Sequence, residues 1–242
     1  MRTILRIQMT SDIREAFSAA ILSLVNVKSE KARFVFRETE NLCFYKNPVI
    51  FLKEQYFSPK IRIKDFDFSY QPTINKDQVM DFMSLRFIES KTNIIFIGSS
   101  GVGKTHLATT IGIEAASKRI STYFINFAVL MEKFKQAAKE NRVEKVVKHY
   151  LKYTVLIIDE IGYLPVDKDA AFGFFQLIAA RYEFRPTILT TNQPFSKWPD
   201  VFGDAVIANA IIDRLVHHCD IVKITGHSYR IKGRNIFDDS DD

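Results

Sequence analysis

Residues 98–105 read G-S-S-G-V-G-K-T and fit the spacing G-x-x-x-x-G-K-[ST]. An apolar run over residues 94–97 leads into the motif, and a helix-like segment over residues 105–116 leads out of it. That succession of strand, loop and helix gives the motif its chemical meaning. Gly98, Ser99, Ser100, Gly101, Val102 and Gly103 supply a backbone that can curl until several N–H groups converge on one anion. The helix that follows adds the partial positive charge of its N-terminus. Lys104 then reaches the β- and γ-phosphates of a nucleoside triphosphate, the Thr105 hydroxyl reaches its Mg²⁺, and His106 flanks both.

Residues 155–160, V-L-I-I-D-E, carry a second signal. Four apolar residues make a buried strand whose end delivers two acids. In a phosphate-loop fold this strand is expected beside the one at residues 94–97. Asp159 then falls near the Mg²⁺, and Glu160 is the general base for a water attacking the γ-phosphate. Asn192 closes the later run T-I-L-T-T-N, where its amide either orients that water or starts a turn before Gln193 and Pro194. Arg214 lies in I-I-D-R-L on the next helix. It is placed either to project into a neighbouring subunit's nucleotide or to pair with Asp213 at the surface. His217 and His218 follow directly. Adjacent side chains on a helix face different ways, so capping is expected there rather than a metal pair.

To bring these residues together the chain must alternate strands and helices, and from residue 93 it does. Strands are expected at residues 94–97, 122–127, 154–158, 187–189 and 221–224, and helices at 105–118, 129–152, 168–182 and 204–218. The pattern predicts an α/β fold: a five-stranded parallel sheet between helices, with the ligand beyond the carboxyl ends of the strands. Upstream, a helix is expected over residues 75–90, and Phe66 or Phe68 either borders the nucleotide base or packs on the sheet. Residues 1–59, with strand-like pieces at 34–36, 42–45 and 49–52, read as a small N-terminal appendage. Residues 60–237 then form the nucleotide domain and residues 238–242 an acidic tail.

Composition narrows the class. With 47% hydrophobic and 26% charged residues, the chain has the balance of a soluble globular protein. No apolar run reaches the length of a membrane span, and Asp12 and Glu15 interrupt the stretch that most resembles a signal peptide. Cys43 and Cys219 are far apart and lack metal spacing, so a reducing, cytoplasmic location is expected. The net charge is +6 even though the last five residues carry four negative charges. A body this basic suits a polyanionic partner.

The motifs taken together resemble the IstB-like transposition helper ATPases, AAA+ relatives of the DnaC helicase loaders. The resemblance runs from about residue 63 to 232. It is carried by D-F-D-F-S-Y-Q-P at 65–72, G-S-S-G-V-G-K-T-H-L-A at 98–108, L-I-I-D-E-I-G-Y-L-P at 156–165 and R-Y-E at 181–183. T-T-N-Q-P-F at 190–195, D-R-L-V-H-H at 213–218 and G-H-S-Y-R at 226–230 complete it. It implies an AAA+ P-loop NTPase fold, ATP and Mg²⁺ as cofactors, homo-oligomers with nucleotide between subunits, and duplex DNA and a transposase as partners. It makes Lys104 and Thr105 the phosphate and Mg²⁺ ligands, Asp159 and Glu160 the acidic pair, Asn192 a sensor, Arg214 a finger and Arg230 a candidate second sensor. Too little chain follows residue 226 for the helical lid common among AAA+ proteins. Residues 27–59 depart from the charged, helical N-terminal region usual in the family, and Phe184 and Arg185 stand where small residues are more usual. A replicative helicase loader shares nearly all these motifs. Glu160, Asn192 and Arg214 argue against a small-molecule phosphotransferase, and intact Lys104, Asp159 and Glu160 argue against a non-hydrolysing binding protein.

Residues 132–152 carry seven positive and three negative charges. On one continuous helix, Lys135, Lys139 and Arg142 would share a face, and Lys145, Lys148 and Lys152 another. The segment is either a surface that tracks DNA phosphates or a solvated helix face. Phosphate tracking is sequence-independent and salt-sensitive. In that case charge reversal at Lys135 and Lys139 lowers duplex affinity and flattens its salt dependence, measured by fluorescence anisotropy across a salt series. An unchanged salt slope would identify a solvated face.

Overall fold

The computed structural model describes residues 50–51, 62–162 and 165–232. Most of the expected appendage and all of the acidic tail lie outside them. The described strands are β1 (Ile50–Phe51), β2 (Asn93–Gly98), β3 (Thr122–Asn126), β4 (Val155–Ile161), β5 (Thr187–Thr191) and β6 (Cys219–Ile224). They form one parallel sheet in the order β1-β3-β4-β5-β2-β6. The five expected strands are present, and the two-residue β1, inside the segment read as appendage, extends the sheet beyond β3.

The order of strands corrects one expectation. β4 is not the neighbour of β2; β5 lies between them, with Ile94 opposite Ile188 on one side and Ile157 opposite Ile188 on the other. The reason is burial. Every residue of β5 is buried, and a parallel strand with no exposed position belongs at the centre of a sheet covered on both faces.

Eight helices are described: α1 (Lys76–Met83), α2 (Arg86–Glu89), α3 (Lys104–Ser117), α4 (Phe127–Lys139), α5 (Val143–Leu151), α6 (Lys168–Arg181), α7 (Trp198–Phe202) and α8 (Ala205–Val216). The period-two alternation of the strands assigns them to two layers. Ile94, Phe96, Val155, Ile157 and Ile188 face one core with α1, α2 and α3. Ile95, Leu156, Ile158 and Leu189 face the other, with α4 to α8. In that second layer α4 and α6 approach so closely that a Cβ at Gly173 would stand 2.6 Å from the Phe134 ring.

Two helices expected as continuous are broken. The one over residues 75–90 starts where expected, with the Asn75 side chain accepting from the N–H groups of Asp77 and Gln78. It stops at Ser84, whose hydroxyl donates to the Asp81 carbonyl at 2.6 Å, and Leu85 turns left-handed at φ 66°. The helix over residues 129–152 divides after Lys139. Asn141 adopts φ 50°, and the N–H groups of Asn141 and Arg142 donate to the carbonyls of Ala138 and Ala137. This reversed pair of bonds is a Schellman end, and asparagine tolerates its left-handed position. Lys135 and Lys139 therefore lie on α4, Arg142 lies in the turn, and Lys145 and Lys148 lie on α5. The single face proposed for Lys135, Lys139 and Arg142 does not exist. Arg142 instead pairs with Glu140, and Lys148 with Glu144. His217 is the C-cap of α8, as expected, its N–H donating to the Asp213 carbonyl. The two histidines do not diverge as on a helix, however: α8 ends at Val216, and in the turn that follows their ring centroids come within 4.3 Å.

At the amino edge of β4 and β5 the sheet is fastened by Arg181, only 1% exposed. Its guanidinium donates to the carbonyls of Tyr150, Tyr153, Thr154 and Pro186 and to the Thr187 hydroxyl. Burial lowers its pKa, yet these five acceptors hold the charged form without a carboxylate. Replacing it leaves several buried carbonyls unpaired. Arg181→Met is expected to lower unfolding free energy by about 3 kcal/mol or more, measured by urea titration. Lysine, with a point charge in place of a fork, should recover only part of the loss.

A candidate nucleotide site at the carboxyl edge of the sheet

β2 ends at Gly98 and the chain turns through residues 99–103 into α3. Gly101 and Gly103 have φ of 79° and 100°, a left-handed backbone that side chains disfavour. Space forbids a side chain as well. A Cβ at Gly101 would collide with the Ser228 hydroxyl, and one at Gly103 would stand 2.6 Å from Phe66. Lys104 opens α3 and donates from Nζ to the carbonyls of Gly98 and Ser99, both at 2.7 Å. Burial lowers its pKa, against the pull of Asp159 and Glu160.

Asp159 is 1% exposed. Its Oδ1 accepts from the Thr105 hydroxyl at 2.9 Å and from the Thr190 hydroxyl at 2.6 Å. Burial raises its pKa, and these two hydrogen bonds counter that rise. Asp159 thus meets Thr105 directly although β5 lies between their strands, and β5 adds Thr190 as a second donor to the same oxygen. Oxygen donors of this kind suit Mg²⁺.

Glu160 interrupts β4 with φ 66°, where the β4–β5 register shifts. Its N–H donates to the Thr190 hydroxyl at 2.9 Å, and its Oε2 accepts from Asn126 Nδ2 at 2.7 Å. The same Asn126 amide accepts from the Ala128 N–H and so caps α4. Thr190 and Asn126 were not anticipated as site residues. Thr190 left a trace, as a hydroxyl residue inside an apolar run; Asn126 left only the trace of a helix cap.

A cleft of about 230 Å³ opens over the loop. Ser100, Gly101, Val102, Gly103, Lys104, Thr105, His106 and Glu160 line it, joined by Asp65, Phe66, Asp67 and Gln71 from the preceding segment and Tyr229 and Arg230 from the following one. Phe66 thus borders the cleft, while Phe68 packs edge-on against it, 4.9 Å between centroids. His106 stands edge-on to Phe66 at 5.5 Å. The two flanking segments are tied together. Gln71 Nε2 donates to the His227 carbonyl at 2.7 Å, Tyr229 N–H donates to the Gly101 carbonyl at 2.8 Å, and Lys232 pairs with Asp67 at 2.7 Å.

Asn192 and Arg214 do not line this cleft. Asn192 follows β5, and its buried Oδ1 has no hydrogen-bond partner among the described residues. Arg214 donates to the Ala210 carbonyl at 2.9 Å and lies over the Phe175 ring at 4.9 Å. The alternative pairing with Asp213 is not among the ion pairs of the described residues. Lys135, Lys139, Arg142, Lys145 and Lys148 belong to the α4–α5 layer and are also absent from the cleft lining. No described helix is long and apolar enough to cross a membrane.

A sheet that places β5 between the loop-bearing and acid-bearing strands, with Lys104, Thr105, Asp159 and Glu160 at its carboxyl edge, defines a P-loop domain of the AAA+ type. The chain belongs to the IstB-like ATP binding protein family, whose model matches residues 49–236. A relative from Bacillus thuringiensis subsp. berliner, named as an ATP-binding protein of insertion sequence IS232, is 58% identical over 73% of this chain and 70% of its own length. One from Geobacillus stearothermophilus, named likewise for insertion sequence IS5376, is 44% identical over 72% of this chain and 69% of its own. Among solved structures the fold is shared with DnaI, at a TM-score of 0.59 and 21% identity over 73% of this chain and 96% of that one. It is shared also with the DnaC helicase loader, at 0.55 and 22% over 71% and 99%.

The bridging hydroxyl gives a direct test. Thr190→Val keeps the shape of the side chain but removes the donor to Asp159 and the acceptor for the Glu160 N–H. Unfolding free energy is expected to fall by about 1–3 kcal/mol in urea titration. The pKa of Asp159 should rise further, since that hydroxyl holds it down.

Proposed function

We propose that this protein is a DNA-dependent ATPase that assists a transposase, assembling on duplex DNA with ATP bound between subunits. The observation that carries the ATPase reading is the cluster of Thr105, Asp159 and Thr190 with Glu160 one residue further on. Its hydroxyls and carboxylate fit Mg²⁺, which when bound would neutralise charge on the β- and γ-phosphates. Thr105 and Asp159 would hold it. The loop N–H groups and Lys104 hold the phosphates, and Lys104 exchanges its two carbonyl partners for phosphate oxygens. Glu160 takes the proton of the attacking water, and Asn126 positions its carboxylate beforehand. Asn192, with an unpaired buried oxygen, is suited to orient that water.

Arg214 has its role in a neighbouring subunit's site, in keeping with its place outside the cleft of its own chain. There it stabilises the charge that develops on the γ-phosphoryl group. The relatives named for insertion sequences favour a transposition role. A helicase loader has the same fold, and only fold likeness speaks for it. Duplex DNA is the activator, and Lys135, Lys139, Lys145 and Lys148 are the first phosphate contacts to examine.

The test is steady-state ATP hydrolysis with and without duplex DNA. Wild type is expected to be stimulated by DNA. Glu160→Gln should lose roughly a hundredfold or more, and Arg214→Ala about a thousandfold. Mixing the two variants should restore part of the rate, because a mixed interface unites an intact Glu160 with an intact Arg214. Full activity of dilute, monomeric Arg214→Ala would exclude the shared site.

A further inference from the structure

The turns that lead into β5 and β6 lie at the amino edge of the sheet, opposite the nucleotide cleft. The first follows α6 and carries Tyr182 and Glu183; the second follows α8 and carries His217 and His218. One donor atom from each of Glu183, His217 and His218 lies within 4.8 Å of the other two, and all three residues are exposed. The Tyr182 hydroxyl stands 2.9 Å from His217 Nδ1. A phenol oxygen that accepts the Nδ1–H of His217 leaves the Nε2 lone pair free for a cation, the arrangement that orients histidine ligands in metal sites.

We propose that Glu183, His217 and His218 form a binding site for a borderline divalent transition metal, Zn²⁺ or Ni²⁺. Two imidazoles and one carboxylate match the ligand preference of these ions, with water completing the coordination. Mg²⁺ and Ca²⁺ favour all-oxygen sites and are poorly served. Tyr182 is the outer partner that fixes His217. Because the ligands come from two turns, a bound ion would clasp the α6–β5 connection to the α8–β6 connection. The site is distinct from the nucleotide cleft, and testing it requires no ATPase activity.

The experiment is isothermal titration of the full chain, stripped with chelator and free of nucleotide, with Zn²⁺, Ni²⁺ and Mg²⁺ in turn. One Zn²⁺ or Ni²⁺ per chain is expected, with no comparable uptake of Mg²⁺. His217→Ala and His218→Ala should each weaken binding by roughly tenfold or more, Tyr182→Phe by roughly tenfold, and Glu183→Gln measurably. In thermal unfolding without metal all four variants should match wild type, since the side chains are at the surface, and Zn²⁺ should raise the midpoint of wild type most and that of the two histidine variants least. Absence of stoichiometric Zn²⁺ binding would overturn the proposal. So would binding that persists when both histidines are replaced, which would assign the ion to other groups.

Discussion

The nucleotide site depends on one buried carboxylate. Asp159 is almost inaccessible, and burial by itself favours its neutral form. Two hydroxyls donating to a single oxygen counter that preference. One comes from the first turn of α3 and the other from β5, so a single atom ties the acid-bearing strand to the phosphate-loop helix across the strand between them. The arrangement tolerates no slip in register. A shift of one residue would turn Thr190 to the other face of the sheet and leave Asp159 and the Glu160 N–H without their partner.

Around that anchor, the loop is enclosed by segments far apart in the chain. Phe66 fills the space that the missing side chain of Gly103 leaves, and Ser228 does the same at Gly101. Lys232 reaches back to Asp67 and lies within 5 Å of the Tyr70 and Tyr229 ring centroids. An exposed ion pair contributes little alone. Here it joins a hydrogen-bonded seam, and its effect is to hold two walls of the cleft at a fixed spacing. Arg181 does the corresponding work at the other edge, where one guanidinium gathers the carbonyls of converging loops.

Much of this was legible residue by residue. G-S-S-G-V-G-K-T announced a phosphate loop because glycine spacing and a following helix act locally. V-L-I-I-D-E announced an acid pair because four apolar residues followed by two charges mark where a buried strand surfaces. Other features were legible in kind but not in arrangement. The charges of residues 132–152 were plain, but not their division between α4 and α5, because a helix end that relies on Asn141 in a left-handed turn leaves only a single asparagine as its sign. Thr190 and Asn126 escaped notice because their roles consist of contacts with residues 31 and 34 positions away.

The sequence alone determined the phosphate-loop motif with Lys104 and Thr105, the five alternating strands and the acid pair of Asp159 and Glu160 at the end of one of them, since each rests on spacing within one short segment. Only the tertiary structure decided that β5 lies between β2 and β4, that Thr105 and Thr190 both donate to Asp159, and that Arg230 joins the cleft while Arg214 stays outside it. It also decided that two neighbouring histidines converge with a glutamate from another turn. The physical reason is common to all of these. Strand order and loop closure are settled by which faces must be buried together, and that is a property of the whole sheet rather than of any stretch of it.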